Sequence, residues 1–193
     1  MSEFLLYLEI GKDHILDLQG FDHILFVVAL CAIYSSRDWK GILFLVTAFT
    51  IGHSITLALS TFSVVSVDSN LVEFLIPATI LFTAISNLFK KDVLLARVNW
   101  VQYSLGLFFG LIHGLGFSNY LKELLGVDSG IVVQLFAFNL GLEFGQIIIV
   151  VLFFIITFIM TELFSLARRD WRIIISSIIV GMSFMLLLDA KYW

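Results

Sequence analysis

Five side chains in this sequence have the chemistry of a divalent-metal site, and all five fall in or beside long apolar runs. Asp22 and His23 open one run, His53 sits inside a second, His113 inside a third and Glu143 inside a fourth. Neutral imidazoles and carboxylates with no thiolate suit zinc, nickel, cobalt or iron better than copper(I). A carboxylate placed at mid-membrane costs roughly 2.5 to 3.5 kcal/mol on insertion scales, so such groups face a partner, a cavity or an ion. Their neighbours share faces with them. Thr50, His53 and Ser54 follow helical i, i+3, i+4 spacing, and Asn139, Glu143 and Gln146 follow i, i+4, i+7.

The composition requires a membrane around these residues. Of 193 residues, 60% are hydrophobic and 13% charged, with 20 Phe and one Pro; the mean hydropathy is +1.05. A soluble domain of this length carries far more charge. No basic cluster points to nucleic acid. Cys31 is the only cysteine, which excludes a disulfide framework and a thiolate metal motif. Residues 1–10 carry Glu3 and Glu9 and no Lys or Arg, unlike a secretory signal.

The expected fold is all-α: one integral membrane domain over residues 1–193. Residues 1–19 form an amphipathic segment at the membrane interface, and residues 20–188 form a six-helix bundle. The spans cover about Gly20 to Tyr34, Gly41 to Phe62, Leu71 to Phe89, Trp100 to Leu121, Ile131 to Met160 and Ile173 to Leu188. The first is short for a bilayer. The fifth is longer than one requires and must tilt or protrude. The first, third and fifth loops hold Arg37, Lys40, Lys90, Lys91, Arg97, Arg168, Arg169 and Arg172; the other side holds Lys12, Lys122 and Lys191. Basic loops stay in the cytoplasm, so both termini are expected outside, in the periplasm if the membrane is a bacterial inner membrane.

With that topology the depths agree. His53 lies about 18 Å and His113 about 21 Å from the cytoplasmic side, and Glu143 about 20 Å below the outer surface, at 1.5 Å per helical residue. Asp22 and His23 lie nearer the outer surface. Four helices thus converge on one outward-facing site. Gly106, Gly110, Gly114 and Gly116 around His113 allow close helix approach. Each residue alone has a plainer role: either histidine as an interhelical hydrogen-bonder, Asp22 as a helix cap, Glu143 as a protonated structural group, Asn139 and Gln146 as interhelical glue. His14 and Asp17 read as solvated interface, with His14 in a supporting part at most.

Gly20-Phe-Asp-His-Ile-Leu-Phe26, Phe49-Thr-Ile-Gly-His-Ser-Ile-Thr-Leu57, Gly110-Leu-Ile-His-Gly-Leu-Gly-Phe117 and Asn139-Leu-Gly-Leu-Glu-Phe-Gly-Gln146 together resemble the HupE/UreJ family of bacterial membrane proteins, over about His14 to Gln146. The resemblance implies a helical membrane fold and a link to nickel or cobalt handling around hydrogenase and urease. It gives Asp22 and His23 a part in metal transport. The nickel-permease branch has a His-Pro pair four residues before the motif glycine, where this chain has Leu16 and Asp17. It also has a second His and a Glu after the later His-Gly, where Phe117 and apolar or amide residues stand. The chain is more similar to a second branch.

The leading expectation is a membrane protein that binds and transports a divalent metal (Ni, Co or Zn) through Asp22, His23, His53, His113 and Glu143, with His14, Ser54, Asn139 and Gln146 in support. One alternative is an intramembrane zinc hydrolase of lipid or amide substrates, with Glu143 as general base and Ser54 or Ser118 stabilising the oxyanion. Another is a non-catalytic metal-handling accessory protein. The partners expected are the metal ion and the lipid bilayer, with homo-oligomers and metalloenzyme-maturation proteins left open.

Overall fold

A computed structural model describes residues 2–90, 100–117 and 131–190. Among these the chain is helical, with no strand. The helices are α1 (Glu3–Leu16), α2 (Asp22–Cys31), α3 (Trp39–Thr61), α4 (Ser69–Leu88), α5 (Trp100–Gly116), α6 (Ile131–Phe158) and α7 (Arg168–Asp189). Short polar side chains start two of them. Ser2 accepts from the Leu5 amide at 3.4 Å, and Asp68 accepts from the Asn70 and Leu71 amides at 2.8 and 3.3 Å. A 3₁₀ turn, Ser36–Asp38, leads into α3, and a π turn, Ile159–Leu163, ends α6.

The protein is a polytopic membrane helical bundle. Among the described residues, four helical stretches are long and apolar enough to cross a bilayer: Ser36–Thr61, Ser69–Leu88, Ile131–Leu163 and Arg168–Asp189. The first expected span is realised as α2, only 10 residues long, or about 15 Å of helix. The fourth is realised as the 17 residues of α5; its expected continuation to Leu121 lies outside the described residues, as do the expected loops over 91–99 and 122–129. Large apolar side chains point outward along the bundle, Phe44 at 66% exposure and Phe158 at 61%, while the polar side chains Gln146, Ser176 and Ser183 are fully buried. This inside-out pattern suits lipid. Trp39 and Trp100 stand exposed at one end, where indoles settle at a membrane surface.

Two ends of unlike charge result. At the basic end, Arg168 donates to the Ser35 hydroxyl at 3.0 Å and Arg172 donates to the Lys90 carbonyl. Nearby, Asn87 Nδ2 donates to the Ala29 carbonyl at 2.7 Å and fixes α4 on α2. At the acidic end α4 starts and α7 finishes, bringing Asp22, Glu73 and Asp189 around one cavity.

Two parallel helix pairs meet backbone to backbone. In α3·α5, a Cβ on Gly110 would fall within 3.0 Å of the Phe49 carbonyl, and one on Gly52 within 3.0 Å of the Leu107 carbonyl. In α1·α6, a Cβ on Gly11 would fall within 3.0 Å of the Phe138 carbonyl, and one on Gly141 within 3.0 Å of the Leu8 carbonyl. The two pairs share one register. Adding 41 to Leu8 and Gly11 gives Phe49 and Gly52, and adding 31 to Leu107 and Gly110 gives Phe138 and Gly141. Packing of this kind needs small residues, because lipid supplies no hydrophobic force to press helices together. The amphipathic segment expected over residues 1–19 thus contains a helix seated along the first half of α6, with Tyr7, Gly11 and Ile15 buried.

Candidate metal centre

The α3·α5 seam brings His53 and His113 to the same level, since Gly114 rests against the His53 carbonyl. The short α2 adds His23 from its first turn, and the α1·α6 seam adds His14 from the last turn of α1. The four rings meet. Centroid separations are 4.6 Å for His14–His23, 6.3 Å for His14–His53, 6.1 Å for His23–His53 and 5.5 Å for His23–His113. His14, His23 and His53 each offer a ring nitrogen within 4.8 Å of the other two.

Two of the rings are oriented from behind. His23 Nδ1 lies 3.0 Å from Asp22 Oδ1, which also accepts the His23 amide at 2.9 Å. His113 Nδ1 lies 2.9 Å from the Phe109 carbonyl. A carbonyl only accepts, so Nδ1 of His113 carries the proton and Nε2 keeps its lone pair. The carboxylate fixes His23 in the same sense. Metal-binding histidines are held this way, by a carboxylate or carbonyl on the far nitrogen. The Nε2 atoms of His14, His23, His53 and His113 are all buried with no hydrogen-bond partner among the described residues, and so is Nδ1 of His53. A hydrogen-bonded core would pair these nitrogens with one another or with the backbone, because an unpaired buried polar atom is costly. The donor set fits a divalent transition metal: imidazole nitrogens converging on one space, with a carboxylate next to them.

Phenylalanines close the centre on the basic side. Phe26 and Phe49 stand 5.0 and 5.2 Å from the His113 ring, and both are buried. Toward the other end, Phe117 lies 3.9 Å from His14 and stacks on Phe138 at 5.2 Å. On the acidic side a cavity of about 240 Å³ opens onto the centre. His14, His23 and His113 line its inner wall, and Asp17, Asp22 and Glu73 line its mouth.

The expected site residues divide into three groups. His23, His53, His113 and Asp22 come together. His14, expected only in a supporting part from a solvated segment, is brought into the middle of the cluster. Glu143 is placed elsewhere: it accepts from the Thr47 hydroxyl at 2.5 Å, and Gln146 accepts from Thr50 at 3.0 Å, making a polar seam between α3 and α6. Thr47 precedes His53 by six residues, which is about 9 Å of helix toward the basic end. Asn139 donates to the Leu135 carbonyl and Ser54 to the Thr50 carbonyl, each within its own helix. Ser118 lies outside the described residues. Sequence reasoning left Asp17 in the solvated interface and did not single out Glu73; both line the cavity, and only the packing of α4 beside α2 brings Glu73 there.

No curated protein and no solved structure matches the chain. The family model described as HupE / UreJ protein matches residues 1–190. A helical membrane bundle carrying all four motifs, matched over nearly its whole length, belongs to the HupE/UreJ family.

Proposed function

We propose that this protein takes up a divalent transition metal (nickel, cobalt or zinc) at the acidic end and moves it across a bacterial inner membrane through the histidine centre. One observation carries the reading: four buried imidazole Nε2 atoms have no partner among the described residues, and His14, His23 and His53 each offer a ring nitrogen within 4.8 Å of the other two. An ion compensates that cost where a bare pocket does not. Membership of the HupE/UreJ family supports metal handling. His14, His23 and His53 are the nearest set of ligands, His113 is the adjacent fourth, and Asp22 orients His23.

Elemental analysis of protein purified without chelator tests this. The expected result is about one metal per chain at neutral pH. Protons compete for the same imidazole lone pairs, so occupancy falls as the pH is lowered. Protein that carries none of nickel, cobalt, zinc or iron at pH 7.5, and takes up none when each is offered, overturns the reading.

Transport in this direction requires both termini outside, with the basic end in the cytoplasm. The eight-to-three division of basic residues supports that orientation. Cys31 is buried and is the only cysteine, so a cysteine placed at exposed Arg37 reports without background. In intact cells it escapes a membrane-impermeant maleimide and reacts after lysis. Labelling before lysis inverts the topology.

The phenylalanine floor favours a second reading, an intramembrane zinc hydrolase, in which histidines hold the metal and an open position takes water. Its expected helpers are otherwise engaged: Ser54 binds a backbone carbonyl and Glu143 binds Thr47. Proteoliposomes enclosing a metal-sensing dye separate the two readings. Dye response that depends on His53 supports transport; stoichiometric metal without passage supports the enzyme.

A further inference from the structure

We propose that Asp17, Glu73 and Asp189 form an antechamber that gathers a hydrated divalent cation ahead of the histidine centre. The inference rests on the metal-binding reading and adds to it a stage of capture. Asp17 and Glu73 line the mouth of the cavity of about 240 Å³ whose inner wall includes His23 and His113. Asp22 and Glu73 also line an adjoining cavity of about 320 Å³, together with Asp189. Four carboxylates therefore surround two joined cavities. Asp17, Glu73 and Asp189 are exposed, Asp22 is half-buried, and His23 and His113 are buried at 5% and 1%. None of the three outer carboxylates makes an ion pair among the described residues.

Carboxylates alone would be ordinary solvated surface. The second observation is that the wall behind them holds Nε2 of His23 and of His113, both buried and unpartnered. The route thus runs from oxygen donors in water to nitrogen donors out of it. A divalent ion arrives with its hydration shell, and exposed carboxylates attract it without stripping that shell. Like charges lining a cleft with low-dielectric walls focus the field and raise the arrival rate of the opposite charge by about 10- to 1,000-fold. Imidazole then replaces water where the carboxylates end. Capture is set by charge and is indifferent to which divalent ion arrives; selection falls to the histidines.

Stopped-flow mixing of full-length protein in nanodiscs with Co²⁺ tests this. Visible absorbance develops when imidazole displaces water from Co²⁺, so the readout reports arrival at the histidines. The triple variant Asp17→Asn, Glu73→Gln, Asp189→Asn alters exposed side chains and leaves the histidines intact. Its expected association rate is about tenfold below wild type at low salt, with the same final absorbance. At about 0.5 M NaCl, where screening reaches a few ångströms, the two rates converge. Glu73→Lys slows arrival more than Glu73→Gln. Equal rates for wild type and triple variant at low salt, or a difference that salt leaves unchanged, overturn the antechamber and leave the metal centre standing. Absence of any Co²⁺ absorbance in wild type removes the metal reading and the antechamber with it.

Discussion

His53→Leu is expected to raise the stability of the metal-free protein while abolishing its metal binding. His53 is fully buried, and neither ring nitrogen has a hydrogen-bond partner among the described residues. Each unpartnered buried polar atom costs about 1 to 3 kcal/mol. Leucine fills a similar volume with nothing to satisfy, so the apoprotein gains about 1 to 3 kcal/mol. Metal reverses the order. A ligand at 100 times its Kd stabilises the form that binds it by about 2.7 kcal/mol, and the variant lacks this. Apparent Tm in one detergent, at one scan rate, with and without metal, should therefore cross: the variant melts higher in chelator and wild type melts higher in metal. A variant that melts lower in both conditions makes His53 a structural core residue and removes the argument drawn from its bare nitrogens.

Gly110→Val is expected to cost more than any other single change on the α3·α5 seam. The added Cβ would fall within 3.0 Å of the carbonyl oxygen and carbon of Phe49. These are backbone atoms that cannot rotate away, so the helices must part. Overpacking costs about 1 to 3 kcal/mol where side chains yield, and more where they do not. The damage extends to the centre, because α3 carries His53 and α5 carries His113. Bound metal should fall to below a tenth of wild type in whatever fraction stays folded, and apparent Tm should drop together with it. Gly181→Ala is the control. Nothing lies within 4 Å of that position, and alanine is the better helix former by about 1 kcal/mol. It should leave metal content unchanged and Tm equal or slightly higher. Equal losses in the two variants would mean that generic helix effects, not backbone contact, decide the outcome.

The sequence carried the convergence of Asp22, His23, His53 and His113 from three helices because depth in a bilayer follows from counting residues along straight helices. It carried less about rotation. Glu143 reaches the expected depth, yet α6 turns it toward Thr47, and no count of residues along α6 gives the angle at which it crosses α3. His14 was hidden for another reason. Exposed Glu3, Glu9 and Asp13 on α1 make the segment read as interface, and its seat depends on Gly11 meeting Phe138 more than a hundred residues away. Such a contact leaves only small residues as its trace, and small residues pack in many ways. Glu73 was obscure in the same sense, since its place beside Asp22 depends on how α4 stands against α2. The family resemblance was plain because it runs through short contiguous motifs.

The seating of α1 on α6 also sets an order of assembly. Chains are made from the amino end at about 5 to 20 residues per second, so α1 leaves the ribosome at least several seconds before Gly141 and Gly145 exist to receive it. During that interval the growing chain already holds Asp22, His23 and His53, and later His113, but His14 has no fixed position. The last histidine of the cluster reaches its place only when α6 has entered the membrane. A half-built chain therefore holds an incomplete histidine cluster, and the full cluster is a property of the finished molecule.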